Sequence, residues 1–446
     1  MSVRERCAAI VEETSEIYIE PRDETVAIDD VAMDEAAGAA ATTELAGEID
    51  RGNDDVRRLE DTAAALEDMT VVEEHIVEAR PTDLVLIETA ARLATAGSDV
   101  TVEEVIPALE SYRGKAISME GIRSVIAGIW NSIVAMLKKL WERIEAFFSA
   151  FVSGTAGVAR TVATYKKKLA GMGSAHSESA MVTLGAEASV LMQYGKTPSS
   201  GKSIIDGLRL TAGVVAYAFG SNGYAERVAN SYKAMASEVT KFRESDAVAS
   251  LDGVCNMFAG DKIFAVPGAV GSDSCSHPSF DRLTYSQSHH LPGEWVWIWP
   301  SEVPGLNGSS LEKAGEIQQS IVAFTRLPVS DYKGSADMRT MSQKELGETL
   351  DWVDAIIRDS HRYVTAGKNQ MSAARAQLQG ATDKLTKSVK ETPTNGEAMR
   401  HIRAVMRFNS YMTALATKPT TSLLSTSVTI CRNALIVTRR NMAVYR

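Results

Sequence analysis

The sequence predicts a mainly α protein. An acidic helical segment, residues 1–120, precedes a larger helical domain, residues 121–446, which carries a small β-rich insertion at about 261–304. Three observations support this. Apolar residues recur at spacings of three and four along most of the chain, the period of one helix face. Residues 1–120 hold 30 Asp and Glu against 10 Lys and Arg, whereas residues 121–446 hold 27 against 37, so the overall charge of −10 joins a segment of −20 to one of +10. All six Trp and all ten Phe follow Glu120, leaving Tyr18 and Tyr112 as the only earlier aromatics.

A deep core is harder to build without large side chains, and clustered carboxylates oppose compaction. Residues 1–120 are therefore expected to be removable or dependent on a partner, with short helices in stretches such as LEDTAAALEDM and LVLIETAARLATA, broken at Pro81, Gly97 and Pro107. Beyond Glu120 the pattern strengthens. Ile122, Ile126, Ile129, Ile133, Leu137, Leu140, Ile144, Phe147 and Phe151 keep one helical stripe, widened by Trp130, Trp141 and Phe148. That stripe is expected to be buried against another helix of the chain. Ser153-Gly-Thr-Ala-Gly157 is expected to end the helix, before a second one finishing in Tyr165-Lys166-Lys167-Lys168.

Further helices are expected near 180–193, 204–219 and 224–243. The texture changes in KIFAVPG and EWVWIWP, where β-branched and aromatic residues with Gly and Pro punctuation suggest strands. Ser342 and Glu345 form a capping-box pattern ahead of a helix, and the last helix carries Arg432, Arg439, Arg440 and Arg446.

Several familiar sites are excluded by spacing. Gly195 and Gly201-Lys202-Ser203 have five intervening residues where a phosphate loop has four, and Pro198 removes an amide donor. Cys275, His277, His289 and His290 lack the two spaced ligand pairs of a structural zinc site. Trp295, Trp297 and Trp299 share one strand face, but Val296 and Ile298 make the other apolar, so a buried strand is preferred to a base-stacking platform. His361, Asp354 and Asp359 sit on a helical pattern and read as a solvated face. No enzyme, cofactor or metal is indicated. Cys7, Cys255, Cys275 and Cys431 show no paired spacing, with Cys255 and Cys431 read as small buried hydrophobes. No apolar run of 18 residues marks a spanning helix, and MSVRERCAAIVEE lacks the apolar stretch of a secretory signal, consistent with a reduced cytoplasmic product.

Residues 110–148, ESYRGKAISMEGIRSVIAGIWNSIVAMLKKLWERIEAFF, resemble a known family: internal head or inner-body proteins of giant tailed bacteriophages, made as precursors. The resemblance implies a virion structural protein of the head interior, assembled in the host cytoplasm among capsid or other inner-head proteins. It also implies that residues 1–120 are an acidic helical propeptide and that a phage maturation protease cuts after the Glu of a small-x-Glu motif, here Ser118-Met119-Glu120, ahead of Gly121. Similar triplets end at Glu48, Glu67, Glu110, Glu187, Glu238, Glu312 and Glu316, but only Glu120 coincides with the charge and aromatic boundaries.

Removing a net −20 segment would leave a +10 product suited to non-specific contact with packaged DNA. Lys138, Lys139, Arg143, Lys166, Lys167, Lys168, Arg432, Arg439, Arg440 and Arg446 are the expected phosphate contacts. Two rival functions remain open. The amphipathic helix at 121–152 has the composition of an interfacial helix and suits a membrane surface. An enzyme delivered into the host would instead require a pocket of convergent acidic or histidine side chains.

Overall fold

The computed structural model describes residues 41–63, 119–173, 181–260, 273–274, 285–300, 308–320, 322–328, 336–391 and 396–445. In chain order they form α1 (41–63), α2 (Met119–Ala170), β1 (Met181–Leu184), α3 (Glu187–Val190), α4 (Gly201–Phe219), α5 (Tyr224–Lys241) and α6 (Ala247–Gly260). There follow β2 (Asp273–Ser274), β3 (Tyr285–Gln287), β4 (Trp295–Pro300), α7 (Ser310–Gln319), β5 (Ala323–Arg326) and β6 (Ala336–Arg339). The chain then runs through α8 (Gln343–Arg362), a π-helical turn (Tyr363–Gly367), α9 (Lys368–Glu391) and α10 (Gly396–Met442). The mainly α reading holds.

α10 is the centre of the molecule. It packs against every helix from α2 to α9 and against β1 and β5. A helix covered on so many sides must satisfy its own polar groups. Thr413, Thr417, Thr420, Thr421 and Thr438, each at most 2% exposed, donate their hydroxyls to the carbonyl four residues earlier at 2.6–2.9 Å. These five hydroxyls thus line the buried helix without stranded hydrogen-bond capacity, whereas the buried Ser427 and Tyr411 hydroxyls find no partner among the described residues. Pro419 lies inside α10 and has no N–H to give the Leu415 carbonyl. The fully buried Tyr224 hydroxyl donates to that carbonyl at 2.7 Å.

α2 buries its stripe as expected: Ile129, Ile133, Leu140, Ile144, Phe147 and Phe151 are 0–2% exposed. Each contributes about 1.5–3 kcal/mol on burial, far more than local propensity. The expected break at 153–157 does not occur, and α2 runs unbroken for 52 residues. Two glycines cost roughly 1 kcal/mol each in a helix interior. That cost is outweighed because the buried stripe continues through Val158, Val162 and Tyr165, while Thr155 bonds back to the Phe151 carbonyl at 2.8 Å.

The acidic part also enters this core. In α1, Thr42, Ala46, Ile49, Asn53, Val56, Glu60 and Ala63 are all buried, a strict alternation of four and three. Such a seam presents one face to its neighbours. At Gly52 the backbone comes so close to α2 that an added Cβ would lie 3.0 Å from Leu140 Cδ1.

The helix expected near 180–193 is replaced by β1 and the single turn α3. β1 pairs antiparallel with β6, Val182 opposite Met338 and Leu184 opposite Ala336. Val182 and Leu184 point inward while Met181 and Thr183 face out, a period of two that helical spacing cannot supply. The β insertion exists but is larger than its expected bounds, because β2-β3-β4 is completed by β5, which returns beyond α7. KIFAVPG lies outside the described residues. The tryptophan strand is buried: Trp297 is fully covered and meets Tyr217 and Tyr224 edge-on at 5.6 and 5.1 Å, while Val296 and Ile298 pack with Tyr285 and Leu327 on the opposite side. Ser342 caps α8 with Glu345 as expected, and Cys255 and Cys431 are buried.

The Pro419 arrangement yields a comparison of two hydroxyl deletions. Tyr224→Phe strands the buried Leu415 carbonyl and should cost about 1–3 kcal/mol. Tyr232→Phe removes a hydroxyl whose partner Thr413 already bonds within α10. It should therefore cost less, and denaturant titration of the two full-length variants measures the order.

Candidate functional site

The processing motif straddles the edge of the described structure. Ser118 lies outside the described residues, and Met119, Glu120 and Gly121 are the first residues of α2. Cleavage by the expected protease requires an accessible linker up to about Arg123, with helix only from about Ile122; the described helix instead starts at Met119. An acidic residue in a first turn lies at the positive end of the helix dipole, which favours helix at Glu120. To enter an extended protease cleft, the Glu120–Gly121 bond would have to leave helical geometry. A first turn concedes this most easily, since its N–H groups have no partner within the helix.

The competing triplets among the described residues are placed differently. Ala46-Gly47-Glu48 lies inside α1 with Ala46 buried, and Ala236-Ser237-Glu238 lies inside α5 with Ala236 buried. In Gly185-Ala186-Glu187 the Glu is 6% exposed, accepting from the Gly185 amide at 2.8 Å and pairing with Arg440 at 3.0 Å. Those ending at Glu312 and Glu316 lie within α7.

The ten expected phosphate contacts do not converge on one groove. Arg143 is half-buried and lies 3.6 Å from Glu48. Lys166 pairs with Asp351 at 2.8 Å and Asp354 at 3.6 Å, and the hydrogen bond to Asp351 raises its pKa. Arg440 ties the end of α10 to Glu187 and to the Thr183 carbonyl. Arg432 is half-buried on α10, and Arg446 lies outside the described residues. Lys138, Lys139, Lys167, Lys168 and Arg439 remain exposed. From Lys138 to Lys167 is 29 residues of one helix, about 44 Å at 1.5 Å per residue. This spacing suits contact with extended polyanion at separate points rather than a binding pocket.

Of the other candidates, Asp354 serves as a partner of Lys166. His290 Nδ1 lies 2.5 Å from Glu294 Oε2, and its ring stacks on Tyr194 at 4.3 Å. Glu294 Oε1 also accepts the Gly195 amide at 2.7 Å, so the group clamps two turns in which Tyr194, Gly195, Gly293 and Glu294 all have positive φ. No group of three or more His, Cys, Asp or Glu side chains suited to a metal occurs among the described residues. A cleft of about 460 Å³ lies between α1, α3, α10 and the 292–295 turn, with Asp50, Trp295 and Arg326 on its walls.

The contact that sequence reasoning missed is the polar face joining α1 to α10. Ser410 donates to Glu60, Arg407 donates to the Glu60 carbonyl oxygen at 2.9 Å, and Asn53 donates to Thr417 at 3.1 Å. Lys418 pairs with Asp54, and the Thr43 and Ser425 hydroxyls meet at 3.1 Å. Burial pushes the Glu60 carboxyl up to about 8 despite the Ser410 bond, and pushes Asp50 up to about 6 against the pull of Lys418. The signal was the four-three spacing from Thr42 to Ala63, hidden because Asn53 and Glu60 occupy seam positions.

The chain matches the family model of phiKZ-like phage internal head proteins over residues 23–440. Comparisons with curated proteins and with solved structures return no match. The family match crosses residue 120 without interruption, taking in α1, all of α2 and nearly all of α10. By that match, the chain belongs to the phiKZ-like phage internal head proteins, structural components of the virion head interior.

Proposed function

We propose that the protein is a non-enzymatic inner-head component. It is assembled in the host cytoplasm as a precursor of residues 1–120 and 121–446, and cut after Glu120 by the phage maturation protease. Its partners are other head proteins and, without sequence preference, packaged DNA. The observation that carries this reading is the change from net −20 to net +10 at the first turn of α2. A chain packed beside DNA gains from cations that displace condensed counterions, and loses from carboxylates that repel phosphate.

The burial of the α2 stripe favours this reading over a membrane role. Residues 128–170 of α2 are long and apolar enough to cross a membrane. Their large side chains already occupy the protein core, so α2 would have to leave the bundle to enter lipid.

Mass spectrometry of purified particles tests the cut. A mature N-terminus reading Gly121-Ile-Arg-Ser is expected, and Glu120→Gln should leave precursor uncut. Particles holding an intact Met1–Arg446 chain beside fully processed capsid proteins would refute the proposal.

DNA association is tested by the salt dependence of duplex binding. Replacing Lys138, Lys139, Lys167 and Lys168 with Gln should reduce the log–log salt slope by roughly 0.9 for each lysine that touches a phosphate. An unchanged slope would remove these residues from the interface.

A further inference from the structure

We infer that residues 41–63 remain bound to the body of the protein as a separate chain after the Glu120–Gly121 bond is cut, held in the groove between α2 and α10. The inference rests on the processing proposed above and changes its outcome. Hydrolysis adds one water across that bond, leaving a carboxylate on Glu120 and an amine on Gly121, and breaks none of the contacts that hold α1.

Three features of α1 support retention. Its apolar anchors are fully covered, with Ile49 at 0%, Val56 at 2% and Leu59 at 1% exposure. An amphipathic helix seated in a groove by such anchors is a self-sufficient binding mode that needs no covalent tether. Its register is fixed by directed polar bonds from Asn53 to Thr417 and from Ser410 to Glu60. A seam position filled by a polar residue specifies one alignment, because sliding the helix would leave that group buried without its partner. Charge is complementary across the groove as well: α1 carries seven Asp and Glu against three Arg, and faces Arg143, Arg407 and Lys418. The triplet Ala65-Leu66-Glu67 follows residues 41–63 in the chain, so a further cut after Glu67 would leave those residues in one piece.

The groove is also sensitive to pH. Glu60 is faced by Ser410 and Arg407 of α10 and by Arg57 and Asp61 of its own helix, and Asp50 by Lys418, Ser422 and Asp54. Docking raises both carboxyl pKa values, so the bound state holds protons that the free segment releases. Binding is then strongest at acid pH and weakens as pH rises toward about 8, where Glu60 must ionise in place.

The test uses the full chain with a site-specific protease sequence inserted between Gly97 and Ser98. After complete cutting, the two pieces should co-elute on size exclusion at pH 6, with the dissociation constant rising on the order of a hundredfold by pH 9. Glu60→Gln should flatten that rise. Ile49→Asp with Val56→Asp should abolish co-elution while leaving the larger piece helical by circular dichroism. Separation of the unmutated pieces at pH 6 would overturn the inference, as would co-elution indifferent to the double substitution. In virions, peptides of 41–63 should match the abundance of 121–446. Their loss from particles that start at Gly121 would overturn retention and leave processing standing. An uncut chain would overturn processing, while the inserted site would still decide docking.

Discussion

The architecture depends on burying a 47-residue helix from nearly every direction. A helix covered on nearly every side leaves few of its polar groups in water, so a hydroxyl or an orphaned carbonyl that finds a partner avoids a desolvation cost. α10 meets this by turning its threonines back onto its own backbone and by accepting the Tyr224 hydroxyl where Pro419 leaves a carbonyl free. The positions of α5 and β4 follow from that bond, because Tyr224 is held between Leu415 and the edge of Trp297. One proline thus ties a helix defect to the placement of the sheet.

Magnitudes explain why an acidic segment joins such a core. Repulsion among exposed carboxylates is screened beyond about 8 Å at physiological salt, and exposed ion pairs contribute at most about 1 kcal/mol. Burying Ile49, Val56 and Leu59 contributes about 1.5–3 kcal/mol for each large side chain. Packing therefore outweighs net charge in deciding where 41–63 sits. The cost appears locally, at Glu60 and Asp50, whose carboxyls are held away from their ordinary protonation. Charge governs partners at the surface, while apolar spacing governs the fold.

Legibility in the sequence followed the strength of periodic signals. The α2 stripe, the Ser342 cap and the buried tryptophan strand were readable because several residues of one type repeat at the right interval. The continuation of α2 through Ser153–Gly157 was not, because glycine signals a break unless the neighbours that bury Phe151 and Val158 are known. β1 was misread as helix because its evidence lies in β6, more than 150 residues away. At Glu120 the sequence shows a boundary in charge and aromatics, and the structure adds that a helix begins at Met119. The α1 groove was hidden because a buried glutamate reads as a solvated one until Ser410 and Arg407 are seen around it.

The central helix is also the last to be made. Contacts such as Thr43 with Ser425 span 382 residues, so α1 leaves the ribosome long before its groove exists. At about 5–20 residues per second, synthesis of the intervening chain takes roughly 20–80 s. During that interval the nascent chain carries its acidic N-terminal portion without α10 to receive it. Docking of α1 is deferred until α10 has emerged, and every newly made molecule passes through a period in which this segment is open to other binders. The order of translation therefore gives any other binder first access to α1, and α10 competes for it only afterwards.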